Sequence, residues 1–514
     1  MINDLLKNND IDCLLVNSTN EFLVEYNSLA ENSRYHITGF TGSTGDALVT
    51  RENIFLFVDG RYHIQADNEV DKNKITVVKL QTGQTFIEEI VKYVPQNAVM
   101  GIVTKKNSQA RVEEFQKHFK IKLLDSDPFE QLTIQKTFCN EEIDIVYTGL
   151  STAEKTAKLQ SQLQENEAFL FTNPEEISYL FNMRDFSNPY SSYILGKVFV
   201  SKNEAKLFTP ENLQELYKLL ADFKGNIFVD KSSINAYDFR ILQDKAKVKT
   251  SPLKLMKSQK TDAEIEHYKT AFQKTDEAMY AIRDYIENNE NISEYDITEE
   301  LGKSFRRFGA KSLSFKSIIA HNQNSALAHY VKSSKEKTIK NGSLILIDCG
   351  AYYEGGLATD ITRVFVKGTP SNLQKKVYTT VLKAFLNAFN YKIQNNATGF
   401  EIDDLVRKIF AQNPIEGFVF NHGLGHGIGI SVHETPPNLS KNDIAKTPLK
   451  ENMCFTIEPG LYNKEHFGVR LENSCYLKDG KIHSFVNMCY EKKLIDFSIL
   501  SKTELDWLEN FEVR

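Results

Sequence analysis

Apolar positions along the chain fall into short unbroken runs and runs with helical spacing, and their order divides it into three regions. From Ile11 to Val103 the two kinds alternate. Cys13-Leu-Leu-Val16, Ile54-Phe-Leu-Phe-Val58, Ile75-Thr-Val-Val78 and Val99-Met-Gly-Ile-Val103 read as strands. Phe86 to Val94, apolar at 86, 87, 90, 91 and 94, reads as a helix. A second α/β region starts near Ile143. In it Ala168-Phe-Leu-Phe171, Leu195 to Leu207 and Ile227-Phe-Val229 read as strands. Asn173-Pro174-Glu175-Glu176 sets an N-cap, a proline at the first helical position and a glutamate at the third. This region ends between Leu253 and Lys260.

The third region opens with Thr261-Asp-Ala-Glu264, a capping box. Positions 265, 268, 272, 275, 279, 282 and 286 then form one stripe that predicts a long helix packed on a core. Helical spacing recurs at Ile297, Leu301 and Phe305, at Val377, Val381 and Phe385, and at Ile402, Leu405 and Ile409. Leu344-Ile-Leu-Ile347, Ile361 to Val366, Cys454-Phe-Thr-Ile457 and Val469 to Tyr476 read as strands. Strands and helices without strict alternation predict an α+β domain, helices laid on a curved, largely antiparallel sheet.

At 514 residues the chain exceeds what one hydrophobic core serves. Its apolar fraction of 41% and charged fraction of 25% are those of a globular protein. A net charge of −6 without a large basic block argues against nucleic acid or an anionic membrane as partner. Lys332 to Lys340 reads as a solvated segment. The N-terminal sequence lacks the basic start and apolar run of a signal peptide, and no run of eighteen apolar residues occurs. Cysteines stand at 13, 139, 349, 454, 475 and 489 without CxxC spacing, so free thiols and a cytoplasmic location are expected. Cys349 adjoins a candidate site residue, but no base is placed locally to activate it as a nucleophile.

Asp348, Asp360, Glu458 and Glu472 lie in or beside these apolar strands. Asp348 ends Leu344-Ile-Leu-Ile, Glu458 ends Cys454-Phe-Thr-Ile, and Glu472 interrupts Val469-Arg-Leu-Glu-Asn. A buried carboxylate without a partner costs several kcal/mol or is neutralised, and four together repel one another unless cations hold them. Two divalent ions balance four carboxylates, with His426 as a neutral ligand. An oxygen-rich set with one nitrogen suits manganese and also accepts cobalt, iron or zinc. Two such ions roughly 3.5–4 Å apart can share a hydroxide and polarise a carbonyl, which is the chemistry of amide hydrolysis. In His422-Gly-Leu-Gly-His426-Gly-Ile-Gly429 glycines alternate with larger residues, so the backbone passes close to something. With His433-Glu434 following, the run favours a site. HExxH spacing is absent. Spacing alone names a carboxylate-rich metal site and no substrate.

Here the sequence resembles the superfamily of creatinase, methionine aminopeptidase, prolidase and aminopeptidase P. The residues that carry the resemblance are Asp348-Cys-Gly-Ala-Tyr-Tyr with Thr359-Asp360-Ile-Thr-Arg363, the His422 run with Val432-His433-Glu434, Glu458-Pro459-Gly460, and Arg470-x-Glu472-Asn473. Arg34-Tyr-His-Ile-Thr-Gly-Phe-Thr-Gly-Ser-Thr-Gly45, Val58-Asp-Gly-Arg-Tyr62, Ile177 to Arg184, Asn188-Pro and the tail from Leu500 resemble the long, three-domain aminopeptidase P group. The resemblance implies a C-terminal pita-bread catalytic domain (258–495) after two creatinase-N-like α/β domains (1–140 and 141–257), closed by a short segment (496–514).

It further implies two divalent ions. Asp348 would bind the first, Asp360 and Glu472 both, and His426 and Glu458 the second, with Glu458 also the general base. His329 and His433 would contact the peptide carbonyl, His422 would line the proline pocket, and Arg470 counts with the substrate-binding residues. The implied substrate is a peptide with proline in second position, and the implied assembly a homodimer. Family members usually separate the first two aspartates by eleven positions. Here it is twelve, and Gly355-Gly356 marks a hairpin loop that would take up the extra residue. Prolidase shares the ligands but not the three-domain layout. Methionine aminopeptidase lacks the N-terminal domains. A non-enzymatic relative would have lost ligands that stand intact here.

Overall fold

The computed structural model describes residues 2–81, 84–129, 138–330, 332–394 and 396–514. The chain forms two compact units. The first comprises Met1–Glu142, Leu150–Pro189 and Tyr193–Leu253; the second comprises Ile143–Gly149, Tyr190–Ser192 and Lys254–Arg514.

The first unit holds two mixed sheets. In one, the order is Ile75–Lys79, Ile54–Val58, Asp46–Thr50, Cys13–Val16, Val99–Val103, Lys120–Leu124. Asp46–Thr50 runs antiparallel to both neighbours and the other pairs are parallel. In the other, Ala205–Phe208, Lys197–Ser201 and Glu167–Phe171 pair antiparallel, and Asn226–Val229 and Ala246–Val248 continue in parallel. Asn173 caps the helix Pro174–Phe181 by accepting from the amides of Glu175 and Glu176, as the sequence predicts. The helix expected over 86–94 spans only Phe86–Ile90. Its remaining turn closes through Tyr93 and Val94 amides on the Ile90 carbonyl, just before Pro95, which disfavours helix at the preceding residue.

The second unit is built on one antiparallel sheet: Ile318–His321, Leu344–Cys349, Ile361–Val366, Glu472–Lys478 and Cys454–Ile457, with Lys481–Ser484 also paired to Glu472–Lys478. Leu344, Leu346, Val364 and Val366 share a buried cluster with Val377, Val381 and Phe385 of the helix Asn372–Phe389 and Ile402 and Val406 of Gly399–Gln412. Leu405 is only half-buried and Val406 takes its place in the core. The helix Asp262–Asn288 buries all seven positions of its predicted stripe. Thr261 closes the capping box with Glu264. The run expected as one strand over Val469–Tyr476 is two, Gly468–Arg470 paired with Gly460–Tyr462, and Glu472–Lys478 in the main sheet. Leu471 marks the break, its amide bonded to the Pro459 carbonyl. Among the described residues no helix is long and apolar enough to cross a membrane.

Candidate metal centre

Antiparallel register assembles the acidic residues. Asp348 lies directly opposite Thr362, and Thr362 directly opposite Glu472, so three polar side chains form one row across three strands. Ile457 pairs with Asn473, which puts Glu458 just past the strand end beside Glu472. Asp360 precedes Thr362 by two residues and shares its face, by the period of two. The register from Leu344↔Val366 to Cys349↔Ile361 is unbroken and continues through Tyr352↔Ala358. The longer Asp348–Asp360 spacing is therefore absorbed in the turn, where Gly356 adopts φ 66° and its amide bonds the Tyr353 carbonyl. Asp348 stays on its strand, and Asp360 stays immediately before the strand Ile361–Val366.

His426 comes from the glycine run. Its amide bonds Thr456 Oγ1 (3.2 Å), and its Nδ1 lies 3.1 Å from the Gly427 carbonyl oxygen. With Nδ1–H donating there, Nε2 keeps its lone pair. That nitrogen stands 3.6 Å from Asp360 Oδ2 and 3.6 Å from Glu458 Oε1. Ligand atoms of Asp360, His426 and Glu472 lie within 4.8 Å of one another, a set able to hold a metal ion.

The carboxylates are short of donors. Asp348 Oδ1, Asp360 Oδ1 and Glu472 Oε1 are buried with no hydrogen-bond partner. Burial pushes Glu472 up to about 8, with Asp348 as the next cause. Burial, then Glu472 and Asp348, pushes Asp360 well above the carboxylate range. Burial also raises Asp348, against Arg470. Three orphaned carboxylate oxygens, those of Asp360 and Glu472 from residues grouped with the His426 imidazole, fit divalent cations, which would supply the missing positive charge.

Arg470 organises the rim. Its Nη2 bonds Asp348 Oδ2 and the Ala328 carbonyl (3.2 Å), its Nε bonds Thr362 Oγ1 (3.2 Å), and its Nη1 bonds the Tyr462 hydroxyl (2.8 Å). Tyr462 in turn lies 2.8 Å from His422 Nε2. His422 Nδ1 lies 2.7 Å from the Gly423 carbonyl oxygen, and the His422 carbonyl accepts from Arg407. His329 follows Ala328, so its backbone is tied to Arg470, and its side chain is half-buried. The His433 ring meets the His426 ring edge-on, centroids 4.5 Å apart. All nine predicted site residues thus fall in one unit; eight are linked by the contacts above, and His329 adjoins Ala328, whose carbonyl accepts from Arg470.

Sequence reasoning passed over Thr362 and Tyr462. Thr362 Oγ1 donates to Glu472 Oε2 (2.6 Å) while receiving Arg470. Its position two after Asp360 on a strand was the available signal. Tyr462 carried none, because its role depends on the break at Leu471 that turns Arg470 toward it.

A model of metallopeptidase family M24 matches residues 266–479, and two models of the creatinase/prolidase N-terminal domain match 2–132 and 140–264. Residues 266–479 belong to metallopeptidase family M24, behind two creatinase/prolidase N-terminal domains. Within M24 the chain's similarity to whole proteins is distant but complete in length. A probable Xaa-Pro aminopeptidase P of Laccaria bicolor is 26% identical over 573 residues, 99% of this chain and 88% of that protein. Xaa-Pro aminopeptidase 1 of Dictyostelium discoideum is 26% identical over 98% of this chain and 90% of its own. The crystal structure of a Caenorhabditis elegans X-prolyl aminopeptidase, described as a cytosolic enzyme with a di-nuclear active site, superposes with a TM-score of 0.88. At 23% identity, over 97% of this chain and 90% of that one, it shows that the fold is shared. The α+β fold, with M24 domain behind creatinase-type N-terminal domains, is the one expected.

Proposed function

We propose that this M24 peptidase removes the N-terminal residue of peptides whose second residue is proline. Two divalent ions, manganese first among them, would be held by Asp348, Asp360, His426, Glu458 and Glu472. The observation that carries the metal reading is the gathering of Asp360 and Glu472, each with an orphaned carboxylate oxygen, around His426, with the orphaned Asp348 Oδ1 on the same row of strands. The substrate reading is supported by curated relatives of matching length named for Xaa-Pro cleavage. The division into domains 1–140, 141–257 and 258–495 with a closing segment 496–514, the homodimer and the cytoplasmic location belong to the same proposal. The last is supported by a similar fold described as cytosolic.

When bound, the ions supply Lewis acidity and an acidified water. The protein's own residues do the rest. Glu458 takes the proton of the attacking water on its carboxylate and returns it to the leaving amide nitrogen. His433 and His329 bind the scissile carbonyl and stabilise the charge that grows on its oxygen. His422, held by Gly423 and Tyr462, lines the proline pocket. Arg470 neutralises Asp348 on one oxygen and leaves the other open.

The test is hydrolysis of Arg-Pro-Pro, Gly-Pro and Met-Ala-Ser by chelator-stripped protein, before and after manganese. Metal-dependent release of arginine from the tripeptide alone is expected. Preference for Gly-Pro would make it a dipeptidase, and silence on all three with manganese, cobalt and zinc would sink the enzymatic reading. Glu458→Gln should fold, bind the second ion less tightly and turn over at least about a hundredfold more slowly. Ordinary turnover would remove Glu458 as the base.

A further inference from the structure

Two of the alternating glycines of the His422–Gly429 run, Gly427 and Gly429, lie against Glu434. A Cβ on Gly427 would strike the Glu434 carbonyl oxygen, one on Gly429 would strike the Glu434 carboxylate, and one on Gly425 would strike the Thr456 carbonyl. The Glu434 side chain is thus folded back inside the loop it closes. Its amide bonds the Gly427 carbonyl (2.8 Å), and its Oε2 accepts from the Ile430 amide (2.8 Å). Its Oε1 accepts from Lys260 Nζ at 2.6 Å, with Lys257 Nζ at 3.4 Å. All three side chains are buried, Glu434 at 1% exposure. Lys260 Nζ also bonds the Lys257 carbonyl (2.6 Å), and the Lys260 amide bonds the Asn452 carbonyl (2.9 Å). This anchors the lysines beside Cys454–Ile457, the strand that receives the Ile428 amide (3.1 Å).

Two buried lysines on one buried glutamate are an expensive way to hold a loop, since a buried ion pair is on average no more stabilising than apolar packing. Burial pushes Glu434 up, but Lys257 and Lys260 outweigh it and bring the group to about 2, so it stays charged. What the arrangement fixes is the next residue back. His433 is bonded directly to Glu434, and its ring rests edge-on against His426.

We infer that Glu434, gripped by Lys260 and Lys257, is a positioning residue that sets His433 against His426 and the bound peptide. The inference rests on the reading of His433 as peptide-facing. Gly427 and Gly429 are small because the backbone and carboxylate of Glu434 occupy the space that side chains would fill.

The experiment is a double-mutant cycle of wild type, Glu434→Gln, His433→Ala and the pair, all manganese-loaded. It reads kcat and KM on Arg-Pro-Pro, metal content by atomic emission, and Tm. Glu434→Gln should lower kcat about tenfold or more, the scale of a sub-ångström misplacement, with both ions retained. In the His433→Ala background the same change should alter kcat less than about twofold, although its Tm loss persists. An equal loss of kcat in both backgrounds, or none in either, would overturn the positioning role and leave a structural one. Wild-type kcat in His433→Ala alone would instead overturn the reading of His433, and the inference with it. Should Glu434→Gln fail to fold, the cycle is run with E434Q/K260M, which removes one charge of each sign, and the same outcomes decide.

Discussion

Two buried acidic regions of the second unit lie equally deep and behave oppositely. Glu294, at 0% exposure, accepts five hydrogen bonds: the His321 amide and ring (2.8 and 3.0 Å), Asn324 Nδ2 (2.8 Å), the Tyr330 hydroxyl (2.7 Å) and the Ser334 amide (3.0 Å). Burial pushes it up, yet these donors more than offset that, and it sits below its ordinary value. Glu472, at 1% exposure, accepts from Thr362 on one oxygen and keeps the other unpartnered, with Asp348 and Asp360 beside it. It is pushed up, not down. Depth is therefore not what marks a site. A carboxylate that the fold saturates with donors is architecture, and a cluster that the fold leaves short of donors is waiting for cations.

The largest expected effect breaks the comparison on the unsaturated side. Glu472→Gln should lower peptide turnover about a thousandfold, a decade beyond the roughly 10–100-fold cost of an outer hydrogen-bond partner of a ligand. The metal-stripped variant should melt no lower than metal-stripped wild type, because Gln is neutral in both states and escapes the cost of protonating Glu472 on folding. A large loss of metal-free stability would mean that Glu472 is structural after all. On the saturated side, Glu294→Gln should cost about 3 kcal/mol of stability, since one amide oxygen cannot replace a charged acceptor of five donors. That cost should be the same with or without manganese in chemical denaturation. A metal-dependent cost would tie Glu294 to the centre.

A weaker effect separates the regions by pH. Between 4.5 and about 8, native Glu472 holds a proton that the unfolded chain has released. The native state then binds more protons, so stability of the stripped protein falls as pH rises through that window. Glu294 is depressed, so its contribution is present above 4.5 and is lost as pH falls below it. Tm of stripped protein should therefore decline from pH 5 to 8, and manganese should abolish the decline. A Tm rising over that range without metal would contradict the donor-starved picture.

How far the sequence disclosed these two regions follows the same division. Asp348, Glu458 and Glu472 were legible because a charged residue breaks an apolar strand, and period two then sets which face it occupies. The glycine run was legible as a close approach, although not what approached: Glu434 lies five residues beyond Gly429 and folds back. Glu294 was illegible. Its donors lie 27 to 40 positions away, and locally it is one more acid in the first turn of a capped helix. Arg470 and Glu472 read as one strand, whereas Leu471 puts them in different sheets and turns the guanidinium onto Asp348. Local pattern carries strands, caps and faces, while the long-range partners that decide whether a buried acid is satisfied carry no local trace.

Glu264 supplies the smallest and cleanest check on that division. It is buried, at 4% exposure, but its Oε2 accepts from the Thr261 amide (2.8 Å), so it is satisfied by the end of its own helix. Thr261 Oγ1 accepts the Glu264 amide (3.1 Å) and donates to the Thr148 carbonyl (3.0 Å). Thr261→Ala removes that side-chain half of the box and should cost about 1 kcal/mol, while Thr261→Ser should restore most of it. Neither variant should change kcat, metal content or the pH trend of the stripped protein. If Thr261→Ala altered metal binding, saturation by local donors would not insulate a buried carboxylate from the centre, and the contrast between Glu294 and Glu472 would lose its meaning.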